Sequence, residues 1–506
     1  MNSLFDKVLV IGWDGATWDI INPLLKRNKM PTLKKIIKSS FSSTLLSTIP
    51  PMSAPAWVSF MTGVKPEKHG IVNFFVFDKR SRRVHFKNAL DIPYPTLWEH
   101  LSFFDVFSIV INVPLTFPPR PFKGLLITDL LTTPRWPTTY PPNIHFPQLI
   151  ELGRNIKELY GYWTCKDKHY INALEDIAWR IADVSMKLLK SFKWRLSAIV
   201  FLESDRIQHY FYHDTMAIEK IYSVYDDILS RFLGILGEDD CLLIISDHGF
   251  GEIKKVFFTN QLLYDLGLLK FKMRPEKLLP PLLILSAIYK IAPKVVLRKF
   301  LQSFLRKTRG SILKHIIEIP RDVDFNMTKA LALGRGEVYV LESDPHIRVS
   351  LIKYIQRALA SLKDDNTKVI EDIHILSIEK HQMPDIIFEP NEGYATCTSH
   401  LSITGKMISS PLGDFSGVHR RRGIFLAFNP NRIRAMRRCD IRLNIVDIFP
   451  TICSMLKKPI PLFIDGTPQI RLFKSTITPK YMSVRGSLME LIRIKQKLFH
   501  FYKNSA

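Results

Sequence analysis

KVLVIGWDG, residues 7–15, decides the fold. Its apolar residues run without alternation and stop at Asp14. A strand with one wet face alternates apolar and polar residues; an unbroken apolar run is a strand covered on both faces, as in a parallel sheet. The same signature recurs in FSIVINVPL (107–115), SAIVFLE (197–203), CLLIISD (241–247) and GIFLAF (423–428). Helical patterns lie between them, PTLKKIIKSS (31–40) and INALEDIAWRIADVSMKLLKSF (171–192). Strands alternating with helices predict an α/β fold, a mostly parallel central sheet flanked by helices. The chain contains no internal repeat.

With 506 residues, 46% hydrophobic and 23% charged, the chain has material for a large core and an ordinary globular composition. The formal net charge of +24 is not ordinary. It points to polyanionic partners: nucleic acid, an anionic membrane or phosphorylated substrates. The plain alternative is a surface merely rich in Lys and Arg. Cys165, Cys241, Cys397, Cys439 and Cys453 show no C-x-x-C spacing, and their odd number argues against a full disulfide framework. The first residues enter a strand with no basic, apolar and cleavage-site succession, and no apolar run reaches ~18 residues. The expectation is a reduced, cytoplasmic protein, with peripheral membrane contact as one use of its charge.

That charge is concentrated. Residues 254–317 hold 14 Lys and Arg against Asp265 and Glu276, a net +12. Within them KVVLRKFLQSFLRKTRG (294–310) repeats apolar pairs every four residues, with basic residues between. This predicts a basic amphipathic helix. Three uses fit it: a lid packed on the core, contact with an anionic membrane surface and, less well, a nucleic-acid face.

Strand ends carry the chemistry. The apolar runs end at or just before Asp14, Asp205 and Asp247. In open α/β sheets, ligands bind beyond the carboxyl ends of the strands. Each aspartate alone reads as a turn residue, but each has a suggestive neighbour. His209 follows Asp205 by four and shares its helix face. His248 adjoins Asp247 before two glycines, and His419 follows Gly417 just ahead of a strand. Mixed carboxylate and imidazole ligation suits Zn²⁺ or Mn²⁺. Three Asp and three His exceed one catalytic zinc and suit two ions ~4 Å apart, an arrangement that clamps both oxygens in a phosphoryl displacement. IPPMSAPAW (49–57) places Ser53 among small residues, in a turn stiffened by Pro50, Pro51 and Pro55. No long helix is expected before Pro55, and VSFMTG (58–63) predicts one just behind the turn. Ser53 is then a candidate nucleophile, an alcohol that a metal could hold as the alkoxide.

These residues resemble the alkaline phosphatase superfamily, in its type I phosphodiesterase/nucleotide pyrophosphatase branch. The resemblance rests on VLVIGWDGAT, PPMSAPAWVSFMTGVKPEKHGI, DRIQH, SDHGFG and SGVH, with T-G-x-x-P-x-x-H-G (62–70) its most specific element, and on the tail NIVDIFPTICSMLKKPIPLFIDG (444–466). It implies that Asp205, His209 and His419 hold one divalent ion, and Asp14, Asp247, His248 and Ser53 the other. It implies attack by Ser53 on phosphorus and a phosphoseryl intermediate. His69 matches a position with a structural role. The nucleophile is Ser where Thr is common in that branch. The phosphate-binding Asn of nucleotide pyrophosphatases aligns with Phe74, and Asn73 stands beside it. A sulfatase is disfavoured because Ser53-Ala54-Pro55-Ala56-Trp57 lacks the arginine of C/S-x-P-x-R. A cofactor-independent phosphoglycerate mutase is disfavoured because the large insertion follows His248 and not the nucleophile.

The resulting expectation is an alkaline-phosphatase-like core over 1–253 and 320–475, a basic helical insertion at 254–319 and an extension at 476–506. The expected activity is two-metal hydrolysis of a phosphodiester or phosphoanhydride. The alternatives are a phosphomonoesterase on the same site, or a non-catalytic membrane or nucleic-acid binder that kept the fold; a complete ligand set argues against the binder. Asn73, Arg335 in GRGE (334–337) and Arg420 are candidate substrate contacts, although a Gly-flanked arginine such as Arg335 also reads as a plain turn residue.

Overall fold

The computed structural model describes residues 3–131, 138–142, 168–272, 323–376, 381–398, 401–402, 405–411 and 415–483. Most of the expected basic insertion, including the 294–310 helix pattern, and the expected extension from 484 onward lie outside the described residues. The chain forms two compact units. One comprises Met1–Val76, Phe86–Glu252 and Gly413–Ala506; the other comprises Phe77–His85 and Ile253–Leu412. The expected core, 1–253 with 320–475, divides differently. Residues 323–412 group with 253–272, because their strands pair with one another.

Among the described residues, the first unit carries a nine-stranded sheet. Its order is Met436–Asn444, Ser40–Leu46, Arg422–Phe428, Cys241–Ile245, Val8–Trp13, Leu196–Phe201, Ser108–Ile111, Gly124–Ile127 and Thr139–Tyr140. The five strands from Cys241–Ile245 to Gly124–Ile127 are mutually parallel. Every residue of these five is buried, which is why their sequences do not alternate. Helices Lys168–Ser191 and Thr215–Leu233 pack through long amphipathic faces, and Trp13 at a strand end stacks on Tyr225 at 5.4 Å.

The sheet's polarity fixes where the chemistry lies. Strand Arg422–Phe428 runs antiparallel to Cys241–Ile245, and Ser40–Leu46 runs antiparallel to Arg422–Phe428. Ser40–Leu46 therefore points the same way as the central strands. Residues that follow it, or follow a central strand, emerge at one edge; so do residues that precede Arg422–Phe428. Asp14, Ser53, Asp205, Asp247 and His248 meet the first condition, and His419 meets the second.

The second unit holds an antiparallel sheet ordered Ala330–Leu333, Glu337–Val340, Ile386–Pro390 and Ile370–Ile375. Helix Pro345–Ser361 starts on an Asp344 cap with Pro345 at its first position. Its Arg348 meets the buried Asp385, which also pairs with Lys79 at 3.1 Å and accepts the Val340 N–H at 2.7 Å. Burial pulls the Lys79 ammonium below its usual range, with Asp385 opposing. No described helix is long and apolar enough to cross a membrane.

Candidate active site

Ser53 is the first residue of helix Ser53–Thr62. The helix starts five residues before the expected 58. The N–H groups of a first turn have no intrahelical acceptor, so Pro55 at the third position forfeits no hydrogen bond. The motif behind it is local structural chemistry. Gly63 (φ 70°) ends this helix in the left-handed region, Pro66 opens the short helix Pro66–His69, and Gly70 (φ 78°) ends that one. His69 Nε2 meets Ser59 Oγ at 3.0 Å, and its Nδ1 accepts the Ile71 N–H at 3.1 Å. His69 thus ties the two helices together, as expected of a structural residue.

Asp14, Ser53, Asp205, His209, Asp247, His248 and His419 converge. Asp205 Oδ1 lies 2.9 Å from His419 Nε2, 3.4 Å from His209 Nε2 and 4.0 Å from His248 Nε2. His209 Nε2 and His419 Nε2 are 3.0 Å apart. On the other side, His248 Nε2 lies 3.3 Å from Asp247 Oδ2 and 3.6 Å from Asp14 Oδ1. Ser53 Oγ is 3.2 Å from His248 Nε2 and 3.4 Å from Asp14 Oδ1. Two groups could each hold an ion: Asp205, His248 and His419, and Asp14, Asp247 and His248. His248 belongs to both.

The imidazoles are oriented alike. Nδ1 of His209, His248 and His419 faces the carbonyl oxygens of Gly417, Gly249 and Pro51 at 3.2, 3.1 and 3.1 Å. A carbonyl only accepts, so each Nδ1 carries a proton, which leaves Nε2 as the nitrogen a neutral ring would offer to a cation. All three Nε2 atoms turn toward carboxylates. Two of them stand 3.0 Å apart, close to the ~3.3 Å edge of a tetrahedral zinc site with ~2.0 Å bonds.

The electrostatics also call for a cation. Burial, then Asp247 and Asp205, pushes the Asp14 carboxyl well above its usual range, against the Trp57 N–H. Burial raises Asp247 too, with His248 opposing. Burial acts upward on Asp205 as well, but His209 and His419 outweigh it and hold that carboxyl well below its usual range. Asp247 Oδ2 is buried with no hydrogen-bond partner. Three enclosed carboxylates cannot all ionise without compensating positive charge. Ionised carboxylates and imidazole lone pairs are the donor set of a divalent metal, so these residues fit one.

The loops that carry the candidate ligands are bonded to one another. Gly15 (φ 69°) donates its N–H to Asp247 Oδ1 at 3.1 Å, and Ser246 Oγ donates to the Ala16 carbonyl at 2.8 Å. Gln208 donates to the Gly15 carbonyl at 3.0 Å, and Ser204 Oγ to the Asp14 carbonyl at 2.6 Å. Trp57, one turn beyond Ser53, donates its indole N–H to Asp14 Oδ2 at 2.9 Å. In the sequence Trp57 carries no signal beyond its spacing of four from Ser53.

The three substrate candidates occupy three different settings. Asn73 is buried, and its Oδ1 accepts the Phe74 N–H at 2.8 Å. Arg420 follows His419 in strand Gly417–Arg420, and strand alternation turns it to the opposite face, where its side chain covers Gly251. Arg335 belongs to the second unit. There Gly334 (φ 65°) and Gly336 (φ 108°) flank it in the three-residue loop that joins paired Leu333 and Glu337.

The model of the family "Type I phosphodiesterase / nucleotide pyrophosphatase" matches residues 8–402. The chain belongs to that family. Its fold is that of the alkaline phosphatase superfamily. Murine ectonucleotide pyrophosphatase/phosphodiesterase 5 superposes with a TM-score of 0.52 at 14% identity, over 92% of this chain and 100% of that one. Phosphonoacetate hydrolase from Sinorhizobium meliloti 1021, in complex with phosphonoformate, superposes with a TM-score of 0.53 at 12% identity, over 88% and 95%. No curated relative matches by sequence. At these identities the two structures speak for the family's fold, while the geometry of the candidate site is read from this chain itself.

Proposed function

We propose that this family member hydrolyses a phosphodiester or phosphoanhydride through Ser53 and a phosphoseryl intermediate, at a site holding two divalent cations, zinc or manganese. The observation that carries the reading is the common orientation of three imidazoles. Each Nδ1 is bonded to a main-chain carbonyl, and each Nε2 is aimed among buried carboxylates beside a serine hydroxyl. Asp205, His209 and His419 would hold one ion; Asp14, Asp247, His248 and Ser53 would hold the other. Bound there, such ions supply charge against the transferring phosphoryl group and make the serine hydroxyl more acidic.

The chain's own residues do the rest. Ser53 sits at the positive end of its helix, where an anionic group is favoured. Packing fixes that helix, all of whose residues are buried, so Ser53 Oγ keeps its place without solvent rearrangement. Its oxygen forms the bond to phosphorus as the bond to the leaving oxygen breaks. Water then cleaves the seryl ester and restores the hydroxyl. The net charge of +24 favours encounter with anionic substrates.

Elemental analysis after zinc or manganese supplementation should find about two ions per chain. His419→Ala should lose one and Asp247→Ala the other. Turnover should be higher on bis(p-nitrophenyl) phosphate than on p-nitrophenyl phosphate; a phosphonate belongs in the panel because one structural neighbour is a phosphonoacetate hydrolase. A protein that binds no metal, or cleaves only the monoester, contradicts the proposal.

A further inference from the structure

We infer that Trp57 is a positioning residue for the Asp14 side of the ligand cluster: its indole N–H holds Asp14 Oδ2, so that Oδ1 is the oxygen presented to Ser53 and His248. The inference rests on the proposed metal site and adds to it a residue that touches neither ion nor substrate.

The two oxygens of a carboxylate are chemically equivalent until something distinguishes them. Here Oδ2 accepts from Trp57 Nε1 at 2.9 Å, while Oδ1 lies 3.4 Å from Ser53 Oγ and 3.6 Å from His248 Nε2. Indole nitrogen is a donor only, so this contact cannot reverse its sense. The ring cannot swing away. Trp57 is fully buried and packs edge-to-face on Phe60, with centroids 5.5 Å apart. Its far edge lies against Gly12, where an added Cβ would come within 2.4 Å of the indole Cη2. Gly12 stands two residues before Asp14, so the strand that delivers the carboxylate is also shaped to admit the ring that orients it.

Ser53 and Trp57 are four apart on one helix and share a face. The helix therefore presents the proposed nucleophile with its first residue and fixes the carboxylate beside it with its fifth. A partner that orients a metal-binding group typically changes metal affinity 10- to 100-fold when removed.

A competing account is that a buried indole simply needs an acceptor and takes the nearest one. The two accounts differ in what they predict for metal affinity. Metal-stripped protein would be titrated with Zn²⁺ against a chromophoric chelator, comparing wild type, Trp57→Phe and a variant with benzothienylalanine at position 57. The analogue keeps the ring's shape and replaces the N–H by sulfur, so it reports on the hydrogen bond even where the phenylalanine variant folds poorly. Trp98→Phe, a buried indole outside the cluster, controls for weakened packing. The expected result is a roughly tenfold or greater weakening of one of two zinc affinities in both Trp57 variants, with the other affinity and the Trp98→Phe protein unchanged. Unchanged affinities in the benzothienylalanine protein, or an equal loss at both sites, overturn the inference alone. A wild-type protein that binds no zinc overturns the proposed function, and the inference with it.

Discussion

Ser53→Ala should separate chemistry from structure. The substitution removes one oxygen from a residue that is 6% exposed and caps nothing, since Met52 holds the N-cap position of its helix. The two contacts this oxygen makes, at 3.2 and 3.4 Å, are long and share one proton, and their partners keep other bonds: His248 Nδ1 stays on the Gly249 carbonyl and Asp14 Oδ2 on Trp57. Stability should therefore change by less than ~1 kcal/mol, and Tm by no more than ~3 °C. Metal content should stay near two ions per chain, because Asp14, Asp247 and His248 remain. Turnover is another matter. A methyl group cannot attack phosphorus, and loss of a nucleophile acting in a concerted set costs far more than one hydrogen bond. At 1.36 kcal/mol per tenfold, a loss of ~10³ or more corresponds to at least ~4 kcal/mol of transition-state stabilisation. The assay pairs kcat on bis(p-nitrophenyl) phosphate with acid quenching and mass spectrometry of the Ser53 peptide, which should carry a phosphoryl group in wild type and none in the variant. A variant within a few-fold of wild-type kcat, with no phosphoryl adduct in either protein, means that water attacks directly and that Ser53 is a helix-opening residue only.

Three further outcomes are expected. Burial lifts the Glu203 carboxyl from an ordinary 4.5 to about 7, against Tyr225, which donates to it at 3.0 Å; the contribution of this raised group is present below pH ~4.5 and is lost, by roughly 3 kcal/mol, as pH rises through ~7. Glu203→Gln should therefore gain on wild type in urea midpoint between pH 5 and 8, and parallel curves would show that Glu203 does not titrate there. Asp385→Ala leaves Lys79 and Arg348 as buried cations without their shared carboxylate, so the second unit should lose ~3–5 kcal/mol in urea unfolding, and a loss below ~1 kcal/mol would show those cations to be solvated. The 254–317 sequence should carry the chain onto anionic but not neutral vesicles at low salt, at roughly 1 kcal/mol per basic residue near the surface; co-sedimentation that survives deletion of those residues would assign the binding elsewhere.

The central strands of the first unit's sheet were readable because both-face burial leaves few polar residues in a strand, and five mostly apolar runs sit where strands sit. The second unit was not. Ile370–Ile375 is largely exposed on a small antiparallel sheet, and Ile386–Pro390 is five residues long, so neither carries the signal of a central strand. Pro55 misled for a related reason: the rule that proline breaks helices applies to interiors, and the sequence alone does not say that Ser53 is where this helix begins. Arg420 lies on the face opposite His419, because adjacency in sequence becomes opposition in space once both lie in one strand.

A sharper division runs through the site. The clustering of the candidate ligands was readable because parallel strands deliver their following residues to one edge, and an Asp or His there has few other reasons to cluster. The groups that make those side chains usable were not. The three carbonyls that fix the imidazole tautomers belong to Pro51, Gly249 and Gly417, and any residue type supplies a carbonyl. Two of the three are glycines for a separate reason. A Cβ at Gly249 would meet the Arg422 carbonyl at 2.0 Å, and one at Gly417 would meet the Gln208 carbonyl at 2.3 Å. These glycines permit the close backbone approach that brings His248 and His419 to the same cluster, so a side chain at either should disturb the imidazoles while every ligand remains in the sequence. The candidate ligand set is thus written in residue types, but its geometry is written in main-chain packing, which the sequence records only as places where a side chain is missing.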